Sequence, residues 1–549
     1  MRLPEDREVA VATIAAAAAA RITVFDSARA YGDNEATLAR ALRECGADAR
    51  ARIVTKGGMK SEGGSWTPDG RASSLRRDCE ASLVALDGLP IDLYLIHAPD
   101  PRTPWRTSVR ALARMVDDGL VAHVGLANVN RAQLDEALGL ASIAAVQVGL
   151  SVLDDRAVRG GLVERCAEEK IALIAHSPLG GPRRVGSLLR NAALAEVADG
   201  LDASPAEVAL AWLLDLAPNV VAIPGARRPE AARSGARAAS LVLQAAARES
   251  LAQEFGRRRR SRRATSRGDV VLVMGIPGAG KTRIAEQLAE RGYVRLNRDK
   301  LGGSLRSLAG ALDDALAAGE LRVVLDNTYL TRAARSHVVD AAGQHGVSAR
   351  CVWLDTPLAQ AQVNLVERLL DRFGRLPTPE ELRSRSRREA GLLSPTSQMR
   401  ALRELEPPAT DEGWSEIERV DFARLASSPG RPGVFVAGAA LELATLGDAL
   451  TQVDPDAPVL VFDWDPDGGR EAILLRAASG LSGTVETAVC PHGAGPPICW
   501  CRPPLPGLPL AFARHHGVDP ARSTFIGVSA AHRTLATTLG ATFVTVSVS

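Results

Sequence analysis

The chain is short of lysine, cysteine and long apolar runs, and these shortages exclude several classes of protein. Seven cysteines in 549 residues are too few for a disulfide-stabilised scaffold. No apolar run reaches the roughly 18 residues that a membrane-spanning helix needs. Residues 1–10 also lack the charged-then-apolar pattern of a signal peptide. We therefore expect a cytoplasmic protein with no membrane partner.

Positive charge is abundant and is carried almost entirely by arginine. Of 66 basic residues, only five are lysine, so a lysine inside a motif is informative. The net charge of +2 excludes a generic polyanion binder. Residues 246–268, which contain GRRRRSRRATSRGD, concentrate the basic charge and are predicted to be an interdomain linker. Whether this linker is only a solvated connector or also contacts a nucleic-acid backbone stays open.

The length is too great for one hydrophobic core, so about two to four domains are expected. Residues 1–245 alternate short apolar runs with amphipathic Ala/Leu/Arg helices, which indicates parallel βα units. The predicted strands are 22–28, 51–57, 91–98, 121–127, 144–150, 171–178 and 219–226. Units of this number and spacing favour a (β/α) barrel, whose chemistry lies at the carboxyl ends of the strands.

Four reactive residues lie near the carboxyl ends of predicted strands of this region: Asp26, Tyr31, Lys56 and His97. A lysine beside a tyrosine stabilises the phenolate, an aspartate holds the lysine, and a histidine orients a carbonyl. The tyrosine can then protonate a carbonyl oxygen as a hydride arrives. The pattern resembles the aldo-keto reductase family over about residues 7–235.

The same resemblance implies a set of NADP-binding residues and a small-molecule carbonyl substrate. Matching segments are GLVAHVGLANVN, AAVQVGL, AHSPLGG and VAIPGARRPE. They carry Asn128, Gln147, Ser177, Arg227 and Arg228, of which the two arginines are expected to grip the 2′-phosphate of NADP.

The barrel also departs from the family pattern. The chain begins at what corresponds to the first barrel helix, so a TIM-like barrel lacking its first strand is expected. Ala127 stands where the family usually has serine, and His176 stands where an aromatic ring often stacks on nicotinamide. A degenerate, non-catalytic barrel is therefore the alternative.

Residues 269–425 open with DVVLVMGIPGAGKT, a buried strand that runs into a glycine-rich loop and a helix. Gly275, Gly278, Gly280, Lys281 and Thr282 satisfy the G-x-x-x-x-G-K-[ST] pattern in the context it requires. Such a loop cradles phosphates with backbone N–H groups. We expect the lysine to bind the terminal phosphates of ATP and the threonine to hold Mg²⁺.

Three further residues belong to a predicted P-loop α/β kinase domain. Asp299 follows the second strand, where a carboxylate can act as general base or simply cap a helix. Arg368 and Arg372 lie on a helix that can close over the phosphates. GIPGAGKT, GYVRLNRDKLG, VVLDNT and LAQAQVNLVER resemble polynucleotide 5′-kinases over about 269–420. The resemblance implies Asp299 as general base and Arg368 in the lid.

Residues 426–549 contain a cluster of metal-ligating side chains. Cys490, His492, Cys499 and Cys501 form a C-x-H-x₆-C-x-C pattern, which suits a closed, structural Zn²⁺ site. CPHGAGPPICWCRPPLPGL resembles the zinc loop of heptose-bisphosphate and histidinol-phosphate phosphatases. The resemblance implies a haloacid-dehalogenase-like α/β domain over about 434–549.

The catalytic pattern of those phosphatases is missing from its expected place. Ala437 and Gly438 end the first strand, where the family has D-x-D. We therefore expect a pseudo-phosphatase that binds or scaffolds. The alternative is a live phosphatase that uses Asp463 and Asp465.

Together these patterns predict an ATP-dependent kinase that phosphorylates 5′-hydroxyl ends of nucleic acid. The kinase is fused to an NADP-dependent reductase-like barrel and a zinc-holding domain. Two alternatives remain: a nucleoside or sugar kinase fused to a carbonyl reductase, and a single kinase flanked by non-catalytic scaffolds.

Overall fold

The computed structural model describes most of the chain and divides it into two compact units. The described residues are 6–62, 65–100, 102–182, 184–255, 268–385, 389, 391–422, 430–441, 443, 445–451, 453–481, 483–493, 495 and 497–546. One unit comprises 6–255 with 331–336, and the other comprises 268–330 with 337–546. All seven cysteines are free thiols. Within the described ranges, no helix is long and apolar enough to cross a membrane.

The first unit consists mainly of alternating strands and helices. Its strands are β1 (Val24–Asp26), β2 (Arg52–Gly57), β3 (Met59–Glu62), β4 (Ser65–Pro68), β5 (Leu93–Ile96), β6 (His123–Ala127), β7 (Ile143–Gly149), β8 (Ala172–His176) and β9 (Val220–Ile223). Its helices are α1 (Arg7–Ala19), α2 (Asn34–Glu44), α3 (Ala72–Ala85), α4 (Trp105–Asp117), α5 (Arg131–Leu138), α6 (Arg156–Arg159), α7 (Leu162–Glu168), α8 (Val185–Leu188), α9 (Ala192–Gly200), α10 (Pro205–Leu214), α11 (Pro229–Ala238) and α12 (Ala245–Glu254).

Seven of these strands, among the residues described, form one parallel sheet in the order β1-β2-β5-β6-β7-β8-β9. All seven correspond to strands predicted from the sequence. Within the described chain, β1 and β9 have no further strand partner, so the TIM-like barrel is nearly closed, with one gap. Val24 and Val221, on the two edge strands, are each 40% exposed, as expected for strands that lack an outer neighbour. Because every strand runs the same way, their carboxyl ends converge on one face.

The predicted linker begins later than the sequence suggested. Residues 245–254 form α12, and Leu251 of this helix is fully buried against the apolar cluster of α9 and α10. The expected boundary at 246 is therefore wrong, because an apolar face on this segment packs on the barrel. The arginine run, Arg257 to Arg267, lies outside the described residues, so its expected role stays a prediction.

The second unit begins with a P-loop α/β region. Its strands are β10 (Asp269–Met274), β11 (Val294–Asn297), β12 (Arg322–Asp326), β13 (Ala349–Asp355) and β14 (Ile417–Asp421). Its helices are α13 (Lys281–Glu290), α14 (Arg298–Leu301), α15 (Leu305–Ala317), α16 (Arg332–Gln344), α17 (Leu358–Phe373), α18 (Pro379–Arg385) and α19 (Pro395–Glu404). The described strands form a parallel sheet in the order β11-β12-β10-β13-β14. The central β10 is almost fully buried and leads directly into the glycine-rich loop.

The second unit ends with another α/β layer, called here the C-terminal layer (residues 430–546). Its strands are β15 (Val434–Ala437), β16 (Val459–Trp464), β17 (Val485–Cys490), β18 (Thr524–Gly527) and β19 (Thr542–Thr545), and its helices are α20 (Leu446–Leu450), α21 (Arg470–Ala478), α22 (Gly507–His516) and α23 (Ala530–Leu539). The described strands are parallel, in the order β17-β16-β15-β18-β19. The strand order reverses between β15 and β18, which is where doubly wound sheets usually place their ligands.

Helix α17 joins the two layers of the second unit. Val363, Val366 and Leu369 pack in one apolar cluster with Phe435 and Phe512 of the C-terminal layer. Gln360 Nε2 donates a hydrogen bond of 3.0 Å to the Thr538 carbonyl oxygen. On its other side, Ala361 belongs to the core beneath the glycine-rich loop. The P-loop region and the C-terminal layer therefore share a core.

Candidate functional sites

The barrel holds a buried ion pair at the carboxyl ends of its strands. Lys56 Nζ donates to both carboxylate oxygens of Asp26 at 2.7 Å and to the Ser27 carbonyl at 2.6 Å. Gln147 Nε2 donates to Asp26 Oδ2, also at 2.7 Å. Burial alone would raise the pKa of Asp26, but the Lys56 ammonium and these hydrogen bonds outweigh burial and hold the pKa below its usual range. The Asp26 carboxylate is therefore charged, and both side chains are fixed in orientation.

Two predicted catalytic residues, Tyr31 and His97, adjoin this pair. Lys56 Nζ lies 5.8 Å from the centroid of the Tyr31 ring. Tyr31 and His97 meet edge to face with centroids 5.8 Å apart, and Trp66 contacts both rings in the same way. The four predicted catalytic residues of the barrel, Asp26, Tyr31, Lys56 and His97, thus lie in one cluster.

His97 is held as a neutral ring. Burial, with Lys56 nearby, lowers the pKa of His97 to about 4. Its Nδ1 atom has no hydrogen-bond partner within the described structure. A buried ring nitrogen without a partner is costly in a purely structural role. The arrangement instead suits a group that meets a ligand's carbonyl oxygen.

The residues predicted to bind the cofactor lie on the same face of the barrel. Asn128 Nδ2 donates to the His97 carbonyl at 2.9 Å, and Asn128 Oδ1 lies 3.0 Å from His176 Nε2. His176 Nδ1 is 3.3 Å from Ser177 Oγ. Arg227 and Arg228 follow β9 and are exposed. The structure brings Asn128, Gln147 and Ser177 to the tetrad but shows no contact between the two arginines and that group.

Trp66 is a site residue that the sequence analysis missed. It lies on the antiparallel hairpin of β3 and β4, which pair outside the barrel sheet. The turn between two short β-prone segments, SEGGSWTP, is the signal that predicts such a hairpin. Nothing in the local sequence indicates that its ring reaches Tyr31 and His97.

The glycine-rich loop has the backbone conformation of a phosphate-binding loop. Gly278 and Gly280 have φ angles of 87° and 96°, a region that side-chain-bearing residues rarely adopt. A Cβ at Gly278 would also collide with the Ala361 carbonyl oxygen of α17. Asn364 Nδ2 on the same helix donates to the Gly278 carbonyl at 2.7 Å. The loop therefore leads into the N-terminus of α13 in a fixed shape.

Lys281 begins α13 and lies among charged residues from three other segments. Its Nζ donates to the carbonyls of Gly275 at 3.1 Å and Ile276 at 2.9 Å. Burial lowers the pKa of Lys281 to about 8, while Asp326 and Asp299 act to raise it and Arg368 acts to lower it. Asp299 and Arg368, the other two predicted catalytic residues of this region, thus both act on Lys281.

The two carboxylates near Lys281 have different partners. Asp326 is buried and accepts hydrogen bonds from Asn297 and, at 2.6 Å, from Arg295. Asp299 is exposed on α14, whose N-cap is Asn297: its Oδ1 accepts the Asp299 N–H at 2.7 Å. Asp299 is therefore not the helix cap, and its carboxylate is accessible to an incoming ligand.

The two arginines of α17 also differ. Arg372 is ion-paired with Glu389, whereas Arg368 is exposed and lines a cavity beside the glycine-rich loop. Of the two, Arg368 is the one placed to meet a nucleotide. Thr282, in the first turn of α13, is exposed beside Lys281, where a hydroxyl can reach a metal on the phosphates.

The four predicted metal ligands form a compact cluster in the C-terminal layer. Cys490 Sγ lies 3.6 Å from Cys499 Sγ and 3.4 Å from Cys501 Sγ. His492 Nδ1 lies 3.5 Å from Cys490 Sγ and 3.3 Å from Cys501 Sγ. Ligands about 2.0–2.3 Å from one tetrahedral Zn²⁺ would stand roughly 3.5–3.8 Å apart. Three thiols and one imidazole at these separations fit that ion.

The aspartates of the C-terminal layer have structural partners. Asp465 accepts backbone N–H groups from Gly468 at 3.1 Å and from Gly469 and Arg470 at 2.8 Å. The Gly469 hydrogen bond is the main reason that the pKa of Asp465 is lowered. Asp463 is paired with the Arg470 guanidinium and accepts the Trp464 N–H at 2.8 Å. Both carboxylates therefore fix the start of α21.

The topological switch of this layer carries no ionisable side chain on its strand ends. β15 ends at Ala437-Gly438, and β18 ends at Gly527-Val528. A side chain at Gly438 would collide with the Asp463 carboxylate. The pair that resembles D-x-D thus lies on the neighbouring strand β16, and the Asp463 carboxylate reaches the end of β15 from there.

Helix α19 connects the cysteine cluster to the glycine-rich loop. The Trp500 indole donates to the Leu393 carbonyl at 2.9 Å, and the Thr396 hydroxyl donates to the Pro497 carbonyl at 2.7 Å. Gln398, fully buried on the same helix, donates from Nε2 to the Pro277 carbonyl at 2.8 Å. A chain of specific hydrogen bonds thus links the loop of Cys499 to the glycine-rich loop.

Comparison with known proteins identifies two regions of the chain. The aldo/keto reductase family model matches residues 3–253, and an AAA domain model matches residues 270–390. An aldo-keto reductase of Strobilurus tenacellus is 30% identical over 271 residues, covering 44% of this chain and 80% of that protein. Pyridoxine 4-dehydrogenase of Escherichia coli is 33% identical over 234 residues, covering 40% and 78%.

A solved aldo/keto reductase from Klebsiella pneumoniae, in complex with NADP and acetate, is also similar. It is 25% identical with a TM-score of 0.40, covering 47% of this chain and 88% of its own. The sequence relatives place the chain in the aldo/keto reductase family through its N-terminal region. Residues 270–390 form a P-loop nucleotide-binding domain.

Proposed function

We propose that the barrel reduces a small-molecule carbonyl with NADPH. The observation that carries this proposal is the buried cluster in which Lys56, paired with Asp26, lies against the Tyr31 ring beside a neutral His97. NADPH, when bound, supplies a hydride to the carbonyl carbon. His97 orients the carbonyl oxygen, and the Tyr31 hydroxyl gives that oxygen its proton. The tyrosine regains a proton from solvent, which balances the step.

NADP would be held by residues on the same face of the barrel. Gln147, Asn128 and Ser177 present amide and hydroxyl groups there, and Arg227 and Arg228 offer positive charge to a 2′-phosphate. Quenching of NADPH fluorescence tests this assignment directly. We expect NADPH to bind more tightly than NADH, and Arg227→Ala/Arg228→Ala to remove that preference. Equal affinity for both cofactors in the native chain would contradict the role of the arginines.

We propose a second activity for the P-loop domain: transfer of the γ-phosphoryl group of ATP to a 5′-hydroxyl of nucleic acid. Lys281 contacts the glycine-rich loop, Arg368 lines the cavity beside that loop, and Asp299 is exposed on α14; this grouping carries the proposal. Asp299 removes the proton of the attacking hydroxyl, whose oxygen bonds to phosphorus while ADP leaves. Lys281 and Arg368 neutralise the charge that develops on the transferred group, and Thr282 would hold a Mg²⁺ ion that would supply further positive charge.

Labelled ATP offered to matched acceptors tests the second activity. We expect label on oligonucleotides with a 5′-hydroxyl and none on the same oligonucleotides carrying a 5′-phosphate. Lys281→Ala and Asp299→Asn should each remove the label. Transfer to free nucleosides or sugars but not to oligonucleotides would favour a small-molecule kinase. Absence of transfer to every acceptor would favour a non-catalytic nucleotide-binding domain.

We propose that the C-terminal layer is a haloacid-dehalogenase-like pseudo-phosphatase that holds Zn²⁺ for structure. Cys490, His492, Cys499 and Cys501 would supply a closed set of four ligands, leaving no position for substrate. The ends of β15 and β18 carry no ionisable side chain of their own, and the nearby Asp463 is paired with Arg470, which supports a non-catalytic role. Phosphatase assays on the purified chain should show no turnover of sugar phosphates.

A further inference from the structure

A cavity of about 490 Å³ adjoins the glycine-rich loop and is lined by both layers of the second unit. One side is formed by Gly278–Gly280 and by Arg368 of α17. The opposite side is formed by residues of the C-terminal layer: Leu510, Asp519, Pro520, Ala521 and Leu539. The volume falls in the range of about 300–1,000 Å³ that is typical of small-molecule sites.

The position of the cavity indicates which ligand it takes. A nucleotide whose phosphates meet the loop can place its remaining part in the cavity. Phe422 and Val420, at and beyond the end of β14, supply an aromatic and an aliphatic surface for a base. Asp421 and Glu367 supply acceptors for hydroxyl and amino groups. This mixed lining suits a nucleoside better than a second polyphosphate.

The C-terminal wall is firmly attached to the phosphate loop through α17. Gln360 bonds to the Thr538 carbonyl of α23, and Asp371 is ion-paired with Arg514 of α22. On the other side of the helix, Asn364 bonds to the Gly278 carbonyl. The same helix therefore fixes the distance between the glycine-rich loop and the opposite wall of the cavity.

We propose that the C-terminal layer has become part of the nucleotide site, because its residues 519–521 with Leu510 and Leu539 form the outer wall of the nucleoside pocket. This inference rests on nucleotide binding at the glycine-rich loop, as proposed above. It assigns the layer a binding role in place of phosphatase chemistry. The ligand of the pocket is then the nucleoside portion of the phosphate donor.

A pocket-filling substitution tests the proposal. Ala521 is exposed at the cavity wall, so Ala521→Trp adds a large ring there without changing the core. Calorimetry with ADP and with inorganic tripolyphosphate separates the nucleoside contacts from the phosphate contacts. We expect Ala521→Trp to weaken the affinity for ADP by at least about tenfold. The affinity for tripolyphosphate should stay within about twofold of the native value. Ala531→Trp, at an exposed site of the same layer outside the cavity, should bind both ligands normally.

A variant on the opposite wall provides an independent test if Ala521→Trp fails to fold. Phe422→Ala should weaken ADP selectively in the same way, because it removes the aromatic surface of the pocket. Unchanged ADP affinity in Ala521→Trp, or equal weakening of both ligands, would overturn the inference while leaving the phosphate loop intact. Weakened use of oligonucleotide with unchanged ADP affinity would instead make the cavity an acceptor site. A native chain that binds neither ligand would overturn the proposed nucleotide binding as well.

Discussion

The barrel and the C-terminal layer both place acidic side chains at strand ends, and they use them differently. In the barrel, the Asp26 carboxylate is buried against Lys56 and Gln147, and the tyrosine and histidine rings surround that pair. In the C-terminal layer, Asp463 and Asp465 bond to an arginine and to backbone N–H groups. An acidic residue at a strand end therefore indicates a catalytic site only when its partners are themselves reactive groups.

The largest expected effect is at Tyr31. Tyr31→Phe removes the proton that the carbonyl oxygen needs, so we expect carbonyl reduction to fall by about 10²- to 10⁴-fold. NADPH affinity should stay within about twofold, because the ring remains. Steady-state kinetics and NADPH fluorescence measure the two quantities. Tyr293→Phe, a matched change in the P-loop region, should leave reduction unchanged; equal losses in both variants would contradict the assignment.

Metal removal tests whether the Cys/His cluster stabilises the C-terminal layer. A strong chelator should release about one zinc ion per chain and lower the Tm of the second unit by at least roughly 5 °C, because the ligand cluster helps to hold the layer together. Metal analysis and calorimetry measure both results. ADP affinity should weaken as well, since Trp500 and Thr396 tie the cysteine loop to α19 and hence to Pro277.

Cys45→Ser, at an exposed cysteine of the barrel, is the matched control for Cys499→Ser. We expect only the latter to lose zinc. Retention of zinc by Cys499→Ser with unchanged Tm would show that the four-ligand set is wrong.

The next effect concerns pH and the neutral state of His97. The pKa of this ring is about 4 in the folded chain, against 6.5 for an exposed histidine. The unfolded chain therefore binds more protons between these values, and the free energy of unfolding falls as pH drops from 6.5 to 4, by at most roughly 3 kcal/mol. Calorimetric unfolding of the native chain and of His97→Asn measures this fall in the free energy of unfolding. The variant should show a weaker pH dependence in that window; an identical profile would place the sensitivity elsewhere.

The smallest effect is expected at Asp463. Its partner Arg470 is 55% exposed, and exposed ion pairs contribute at most about 1 kcal/mol. Asp463→Asn should therefore leave both proposed activities unchanged and shift Tm by no more than about 2 °C. Loss of a phosphatase activity in this variant would break the comparison, because it would make the β16 carboxylate catalytic.

Much of the architecture follows from local sequence. The seven barrel strands were predicted from apolar runs, and Lys56 and Lys281 stood out because the chain has so few lysines. Asp465 shows the limit of such reasoning. Its spacing from Asp463 matches a catalytic pair, but its role is set by N–H groups that a tight turn points at it.

The features that the sequence did not predict depend on contacts between distant segments. Trp66 reaches the barrel tetrad from a separate hairpin, and Gln398 bonds to a loop more than a hundred residues away. Residues 246–254 were assigned to the linker because their arginine-rich continuation dominates the composition. A single buried side chain, Leu251, decides that they belong to the barrel.

The shared core around α17 has a consequence for synthesis on the ribosome. Val363, Val366 and Leu369 emerge well before the aromatic residues that cover them, of which Phe525 is among the last. The nascent P-loop region therefore exposes an apolar stripe until the C-terminal layer has been translated. An exposed apolar stripe promotes aggregation with other nascent chains. From the order of domains we therefore expect the P-loop region to need protection from aggregation while the C-terminal layer is being translated.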